Sequence, residues 1–228
     1  MPRLIEINKK YGNNTVFDGF CAEFEEKKTT VILGESGVGK TTLLNVVADL
    51  TEYEGTVEGF GKISYVFQSP RLIPWLTVYE NLEYVLFSVE KDTTARKNMI
   101  ETALETVRLS PLKNRLAEKL SGGEAQRVAL ARAFLYPCDS ILLDEAFNSL
   151  DLSLKTGLLS DFRDLSKAYG KTCVFVTHDV NEALFIADRI FILEENSLVD
   201  FGAVSGERAY GYEADGSLRR KLYDYLLK

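Results

Sequence analysis

The stretch Gly34-Glu35-Ser36-Gly37-Val38-Gly39-Lys40-Thr41-Thr42 constrains this chain more than any other. It follows Thr30-Val31-Ile32-Leu33, a β-branched apolar run that predicts a buried strand, and precedes Leu43-Leu44-Asn45-Val46-Val47-Ala48, which predicts a helix. In that setting the spacing G-x-x-x-x-G-K-[ST] reads as a phosphate-binding loop. Glycines at 34, 37 and 39 let the backbone curl around an anion with no Cβ in the way, and their N–H groups add to the positive end of the helix dipole. Lys40 then reaches the β- and γ-phosphates and the Thr41 hydroxyl faces Mg²⁺. The competing reading, a glycine-rich turn with a surface lysine, has to treat the flanking strand and helix as coincidence.

With 228 residues, 46% of them hydrophobic, the chain can bury the core of one large domain or of a domain with a subdomain. A net charge of −7 opposes binding to a polyanion, so nucleic acid is not expected as a partner, although a local basic patch stays open. Cys21, Cys138 and Cys173 are widely spaced and accompanied by one histidine, which suggests neither a disulfide framework nor a zinc site and fits a reducing compartment. The start of the chain lacks the apolar core of a signal peptide, and no apolar run approaches the ~18 residues of a membrane span. A soluble chain is expected, whose membrane role, if any, needs a partner.

Strands are predicted over Arg3 to Asn8, Val16 to Phe24 and Thr29 to Leu33, as parts of a small, partly antiparallel sheet. Tyr11 sits between the first two, either as a turn aromatic or as a ring placed to stack on a base. Tyr53 to Gly61, with three glycines, predicts a tight turn or short hairpin, and Lys62 to Phe67 a strand ending at Gln68. Pro70 and Pro74 then flank Arg71, Leu72 and Ile73, followed by Trp75. Two readings of Trp75 are open, a core side chain or an apolar contact on a docking loop. Thr77-Val78-Tyr79-Glu80 is a capping box opening a helix to about Phe87, Lys91 to Lys97 is a charged solvated stretch, and Met99 to Val107 has amphipathic helical spacing.

Leu120-Ser121-Gly122-Gly123-Glu124-Ala125-Gln126-Arg127 runs into another helical pattern. Ser121 and Glu124 fit a capping box. Two glycines inside a helix start are costly unless backbone must approach a ligand, which favours an anion site there. Ser140 to Glu145 predicts a buried parallel strand ending in two carboxylates: Asp144 suits Mg²⁺ coordination and Glu145 polarisation of an attacking water, against the alternative of an ordinary strand terminus. A turn at Asn148 to Asp151, a helix from Leu152 to Tyr169 and a strand from Thr172 to Thr177 follow. His178 thus lies at a strand C-terminus, where open α/β sheets bind ligands, with Lys40, Gln68 and Asp144; alone it would read as a loop histidine. Strands at Ile190 to Leu193 and Ser197 to Phe201 and a helix over Ser217 to Leu227 complete the pattern. The resulting fold class is α/β, a P-loop NTPase core with a mainly parallel sheet, an N-terminal antiparallel β-subdomain and an inserted helical subdomain.

The order of these motifs resembles the ATP-binding subunits of ABC transporters over nearly the whole chain: P-loop at Gly34 to Thr42, Q-loop at Gln68, signature at Leu120 to Arg127, Walker B strand ending Asp144-Glu145, D-loop at Ser149-Leu150-Asp151 and H-loop at His178. The resemblance implies a single ABC ATPase domain, with an ATP-binding core at approximately 1–76 and 138–228 and a helical subdomain at approximately 77–137. It implies ATP and Mg²⁺ as cofactors: Tyr11 on adenine; Gly34, Glu35, Ser36, Gly37, Val38, Gly39, Lys40, Thr41 and Thr42 around the phosphates; Thr41, Gln68 and Asp144 at the metal and water; Glu145 as catalytic base; His178 on the γ-phosphate. Ser121, Gly122 and Gly123 would bind the γ-phosphate of ATP held by a second copy of the chain.

Val66 to Val78 and Thr177 to Ala183 look like the nitrate, sulfonate and taurine importer branch. That implies membrane-spanning permease subunits, an extracytoplasmic solute-binding protein, and a place on the cytoplasmic face of the cell membrane. The chain departs from the family pattern in a short Thr51 to Lys62 segment, in Ala146 where proline is common, and in Asn148-Ser149 for the commoner Ser-Ala. Without an added C-terminal domain, control through such a domain is not expected. The alternatives are an ABC ATPase that transmits force in a membrane-associated complex without moving a solute, and a non-transport ABC ATPase, whose usual insertions and basic arms are missing here.

Overall fold

Nine strands and seven α-helices make up the described parts of the chain, which in this computed structural model are residues 1–148, 152–204 and 216–226. A six-stranded sheet runs in the order β5 (Ile63–Val66), β6 (Ser140–Asp144), β7 (Thr172–Val176), β3 (Thr29–Leu33), β8 (Arg189–Glu194), β9 (Ser197–Ala203). It is parallel except for β9, which pairs antiparallel with β8. A separate antiparallel sheet orders β2 (Asn14–Glu23), β1 (Arg3–Tyr11) and β4 (Glu54–Glu58).

The central strands are continuous apolar runs because both of their faces are covered. Their side chains alternate between two cores: Val31, Leu33, Ile141, Leu143, Cys173 and Phe175 enter the helical one. Ile32, Leu142, Val174 and Val176 enter the other, where they meet Leu43, Leu44 and Val46 of α1 (Lys40–Val47) and Leu4, Phe17 and Phe20 of the antiparallel sheet. This double burial fixes the register, since a slip of one residue would exchange the two sets.

Between β5 and β6 the chain inserts α2 (Val78–Leu86), α3 (Thr93–Thr106) and α4 (Gly122–Leu135). The predicted capping box at Thr77 and Glu80 is present. After β6 come α5 (Leu152–Tyr169), α6 (Val180–Ile186) between β7 and β8, and α7 (Gly216–Leu226).

Three expectations need correction, and one helix was missed. Thr29 to Leu33 belongs to the centre of the large sheet, not to the small one, because an apolar run with no polar face cannot sit on a half-solvated sheet. The segment at 54–58 is a strand paired with β1; its glycine spacing reflects close packing, a Cβ on Gly55 meeting Glu6 O at 2.5 Å. The charged stretch is not simply solvated: Asp92 caps α3, and Arg96 is buried against Glu83 Oε1 (3.1 Å) and Glu90 O (2.9 Å). Helix α6 was not expected at all, although Asp179, which accepts from Asn181 N at 2.8 Å, is an ordinary cap signal.

Candidate active site

Parallel strands deliver their C-terminal ends to one edge of the sheet, and the predicted residues follow those ends. Gly34 succeeds β3, Asp144 closes β6, His178 lies two residues past β7, and Gln68 two past β5. A cavity of about 350 Å³ at this edge is lined by Ser36, Gly37, Gly39, Lys40, Thr41, Thr42, Gln68, Asp144 and Glu145.

The loop geometry requires glycine at two places. At Gly39, φ is 111° and a Cβ would stand 2.8 Å from Val16 Cγ1; at Gly34 it would stand 2.8 Å from the Leu193 carbonyl oxygen. Gly39 is also the N-cap of α1, with no side chain capping it, so the first N–H groups of that helix face the cavity edge without an internal partner from a cap. Lys40 is buried and donates to the carbonyls of Gly34 and Glu35, each at 2.8 Å. Burial pushes its ammonium below the usual lysine range, opposed by the charges of Glu145 and Asp144.

Thr41 Oγ1 donates to Asp144 Oδ1 at 3.0 Å, and Tyr65 OH donates to Asp144 Oδ2 at 3.2 Å. Burial holds Asp144 above the usual carboxylate range, with these two hydrogen bonds partly offsetting it. Glu145 has φ 45°, a left-handed conformation costly for a non-glycine residue. Its Oε1 lies 3.8 Å from Lys40 Nζ and 3.6 Å from His178 Nδ1, while Oε2 accepts from Asn148 Nδ2 at 2.5 Å. The structure therefore brings together the phosphate loop, Gln68, Asp144, Glu145 and His178.

It does not bring in the rest. Ser121 and Gly122 are exposed at the start of α4, and neither they nor Gly123 lines this cavity. The capping box is real, with Ser121 N donating to Glu124 Oε2 at 2.8 Å and Glu124 N to Ser121 Oγ at 3.3 Å. Because Oγ accepts in the cap, the cap does not use the hydroxyl proton. Tyr11 is half exposed, with Lys9 Nζ 4.4 Å from its ring centroid, and lies outside the cavity lining. The expected D-loop, residues 149–151, lies outside the described residues.

Two site residues were missed by sequence reasoning, Tyr65 and Asn148. Tyr65 is three residues before Gln68 on a strand beside β6, and only the parallel pairing of β5 with β6 makes that proximity visible. Asn148 was noted as a departure in the turn, without its bond to Glu145.

Trp75 is 73% exposed, so the core reading of that residue is excluded. Its loop is nevertheless pinned: Arg132 Nη2 donates to the carbonyls of Pro70 (3.2 Å) and Arg71 (3.0 Å), the Arg71 guanidinium lies 3.6 Å from the Phe67 ring centroid, and buried Asn81 bonds both N–H and C=O of Ile73.

Residues 17–148 match the family model described as ABC transporter. An aliphatic sulfonates import ATP-binding protein, SsuB 2 of Mesorhizobium japonicum, is 34% identical, the match covering 98% of this chain and 90% of the relative. Among solved structures, the ATP-binding cassette MJ0796, a dimer in a post-hydrolysis state bound to ADP and Pi, is 29% identical with a TM-score of 0.77, covering 91% of this chain and all of that one. The cbiO1 protein of Clostridium perfringens, part of the ABC transporter complex cbiONQ, has a TM-score of 0.78 over 87% of this chain and 86% of its own; at 22% identity it shows likeness of fold.

Proposed function

The chain belongs to the ABC transporter family as an ATP-binding, ATP-hydrolysing cassette, and we propose that it powers an importer of a small anionic solute of the sulfonate, taurine or nitrate kind. The observation that carries the catalytic part is the convergence of Lys40, Thr41, Gln68, Asp144 and Glu145 on one cavity at the strand ends. Its importer part rests on the sulfonate-import relative. The solute-binding protein, the place on the cytoplasmic face of the membrane and the division into a core and a helical subdomain at approximately 77–137 are parts of the same reading.

In this mechanism the P-loop N–H groups hold the phosphates and the Lys40 ammonium exchanges its two loop carbonyls for the β- and γ-phosphate oxygens. Thr41 and Asp144, already joined at 3.0 Å, together with Gln68 form a set of oxygen donors that suits Mg²⁺ completed by water and phosphate. When bound, the ion offsets charge developing on the phosphoryl oxygens. Glu145 orients and deprotonates the attacking water, and Asn148 holds its second oxygen aside. His178 meets the γ-phosphate, Tyr11 stacks on adenine, and Ser121, Gly122 and Gly123 of a second copy close over the triphosphate. Exposed Trp75, with Tyr84 of α2 and Phe87 just past its end, gives the permease an apolar contact. Among the described residues no helix is long and apolar enough to cross a membrane, which fits a subunit that reaches the bilayer through that permease.

The test is Mg²⁺-dependent phosphate release by the purified protein, alone and with its permease. Lys40→Ala is expected to lower turnover at least about a hundredfold, since the charge facing the leaving and transferred phosphates is lost. Near-normal turnover in that variant would overturn the site assignment, and failure to associate with any polytopic membrane protein would overturn the importer reading.

A further inference from the structure

His178 has an exposed side chain and, among the described contacts, a single ionic neighbour, Glu145. The residues on either side of it are treated quite differently. Thr177 is fully buried; its Oγ1 donates to Glu182 Oε2 at 2.5 Å and accepts from Asp179 N at 3.1 Å. Asp179 caps α6 through Asn181 N and also meets Lys155 Nζ at 3.2 Å. Glu182, fully buried on α6, has its other oxygen 2.8 Å from the same Lys155 Nζ. One ammonium in the first turn of α5 thus lies within ion-pair distance of both the cap and the buried carboxylate that bracket His178.

A buried carboxylate costs several kcal/mol unless paired, so an ordinary helix–helix contact has no reason to keep one here. The arrangement does have a geometric effect: it ties the residues on both sides of His178 to helix α5, whose first residue, Leu152, is four positions after Asn148, the residue bonded to Glu145. We propose that Lys155, Glu182 and Thr177 are positioning residues that set His178 against the γ-phosphate and make its placement follow the position of α5. This rests on the reading of His178 as the γ-phosphate contact.

The test is a double-mutant cycle on the full chain. His178→Ala alone examines the underlying reading: unchanged kcat there overturns the role of His178 itself. Given a loss in that variant, the pair Lys155→Met with Glu182→Gln removes this ion pair as a unit, so that the fully buried Glu182 is not left as a lone charge, while the less buried Asp179 keeps its bond to Asn181 N. It is expected to lower kcat about tenfold with KM for ATP within about twofold, and to cause no further loss in the His178→Ala background. Lys155→Arg, which keeps the charge, is expected to retain more of the activity than the pair variant. Full turnover in the pair variant, or the same fold-loss in both backgrounds, overturns the proposal. Should the pair variant not fold, Thr177→Val preserves shape while removing the hydroxyl link and is read by the same non-additivity.

Discussion

Thr41 Oγ1 and Asp144 Oδ1, 103 positions apart in the chain, are joined by a 3.0 Å hydrogen bond across the C-terminal edge of the sheet. The hydroxyl belongs to the first turn of α1 and the carboxylate to the end of β6, so this one bond spans the mouth between phosphate loop and strand end where the proposed Mg²⁺ and phosphate would sit. A second bond, from Tyr65 OH to Asp144 Oδ2, holds the carboxylate from the opposite side.

Tyr65→Phe removes that second bond and leaves the ring stacked on Phe67, whose centroid is 4.2 Å away. A hydrogen bond of this kind is worth about 1 kcal/mol, or roughly a fivefold change in affinity. The Mg²⁺ concentration needed for half-maximal binding of a fluorescent ATP analogue is therefore expected to rise about fivefold. An unchanged midpoint would show that Asp144 keeps its position without the phenol.

Glu145→Gln preserves the size of the side chain and removes the proposed base, so hydrolysis is expected to stop while ATP still binds. Light scattering after size exclusion is expected to show a dimer with ATP and a monomer without it, since ATP shared by two copies shifts the population towards the closed pair. Adding Ser121→Arg, which would place bulk at the proposed shared phosphate, is expected to abolish that dimer with ATP binding to the monomer largely intact. A Glu145→Gln chain that stays monomeric at saturating ATP and high protein concentration would contradict the composite site.

Because Trp75 is exposed and its loop is pinned by Arg132 and Asn81, Trp75→Ala is expected to change the unfolding free energy by less than about 0.5 kcal/mol. Nucleotide affinity should stay within about twofold, while association with the permease, measured by co-purification, weakens. Loss of folding would restore a structural role to the indole.

Glu124 carries a pH dependence of defined sign. The Ser121 N–H donating to its carboxylate outweighs burial and holds it below the usual glutamate range. Its contribution to stability is therefore complete above the ordinary glutamate value, about 4.3, and is lost as the pH falls through the lower folded value. Urea midpoints measured from about pH 6 to about pH 3 should fall less steeply for Glu124→Gln than for wild type. Parallel curves would mean that the cap carries no linked proton.

Much of the site was legible in the residues themselves, because the chemistry is local. A loop that must curl around phosphate needs glycines at fixed intervals, a lysine and a hydroxyl next to them, and a strand and helix to hold it. The two carboxylates at the end of an apolar run and the histidine after the next one are equally local statements. What escaped was non-local or too short to show a period: the strand at Glu54–Glu58 owes its state to pairing with β1, and α6 spans seven residues, fewer than three turns of pattern. Trp75 stood open between two readings, since an indole just after a proline looks the same whether it points inward or out.

The sequence by itself determined the phosphate loop, the kinds of catalytic group available and the α/β class, all of which follow from spacing along a few consecutive residues. Tertiary structure alone decided which of those groups share a cavity, that Tyr65 and Asn148 hold Asp144 and Glu145, that Trp75 faces outward, and that Lys155 braces both sides of His178. The physical reason is that these relationships depend on strand order and helix placement, which are set by burial of both faces of the central sheet and leave no trace in the separation of residues along the chain.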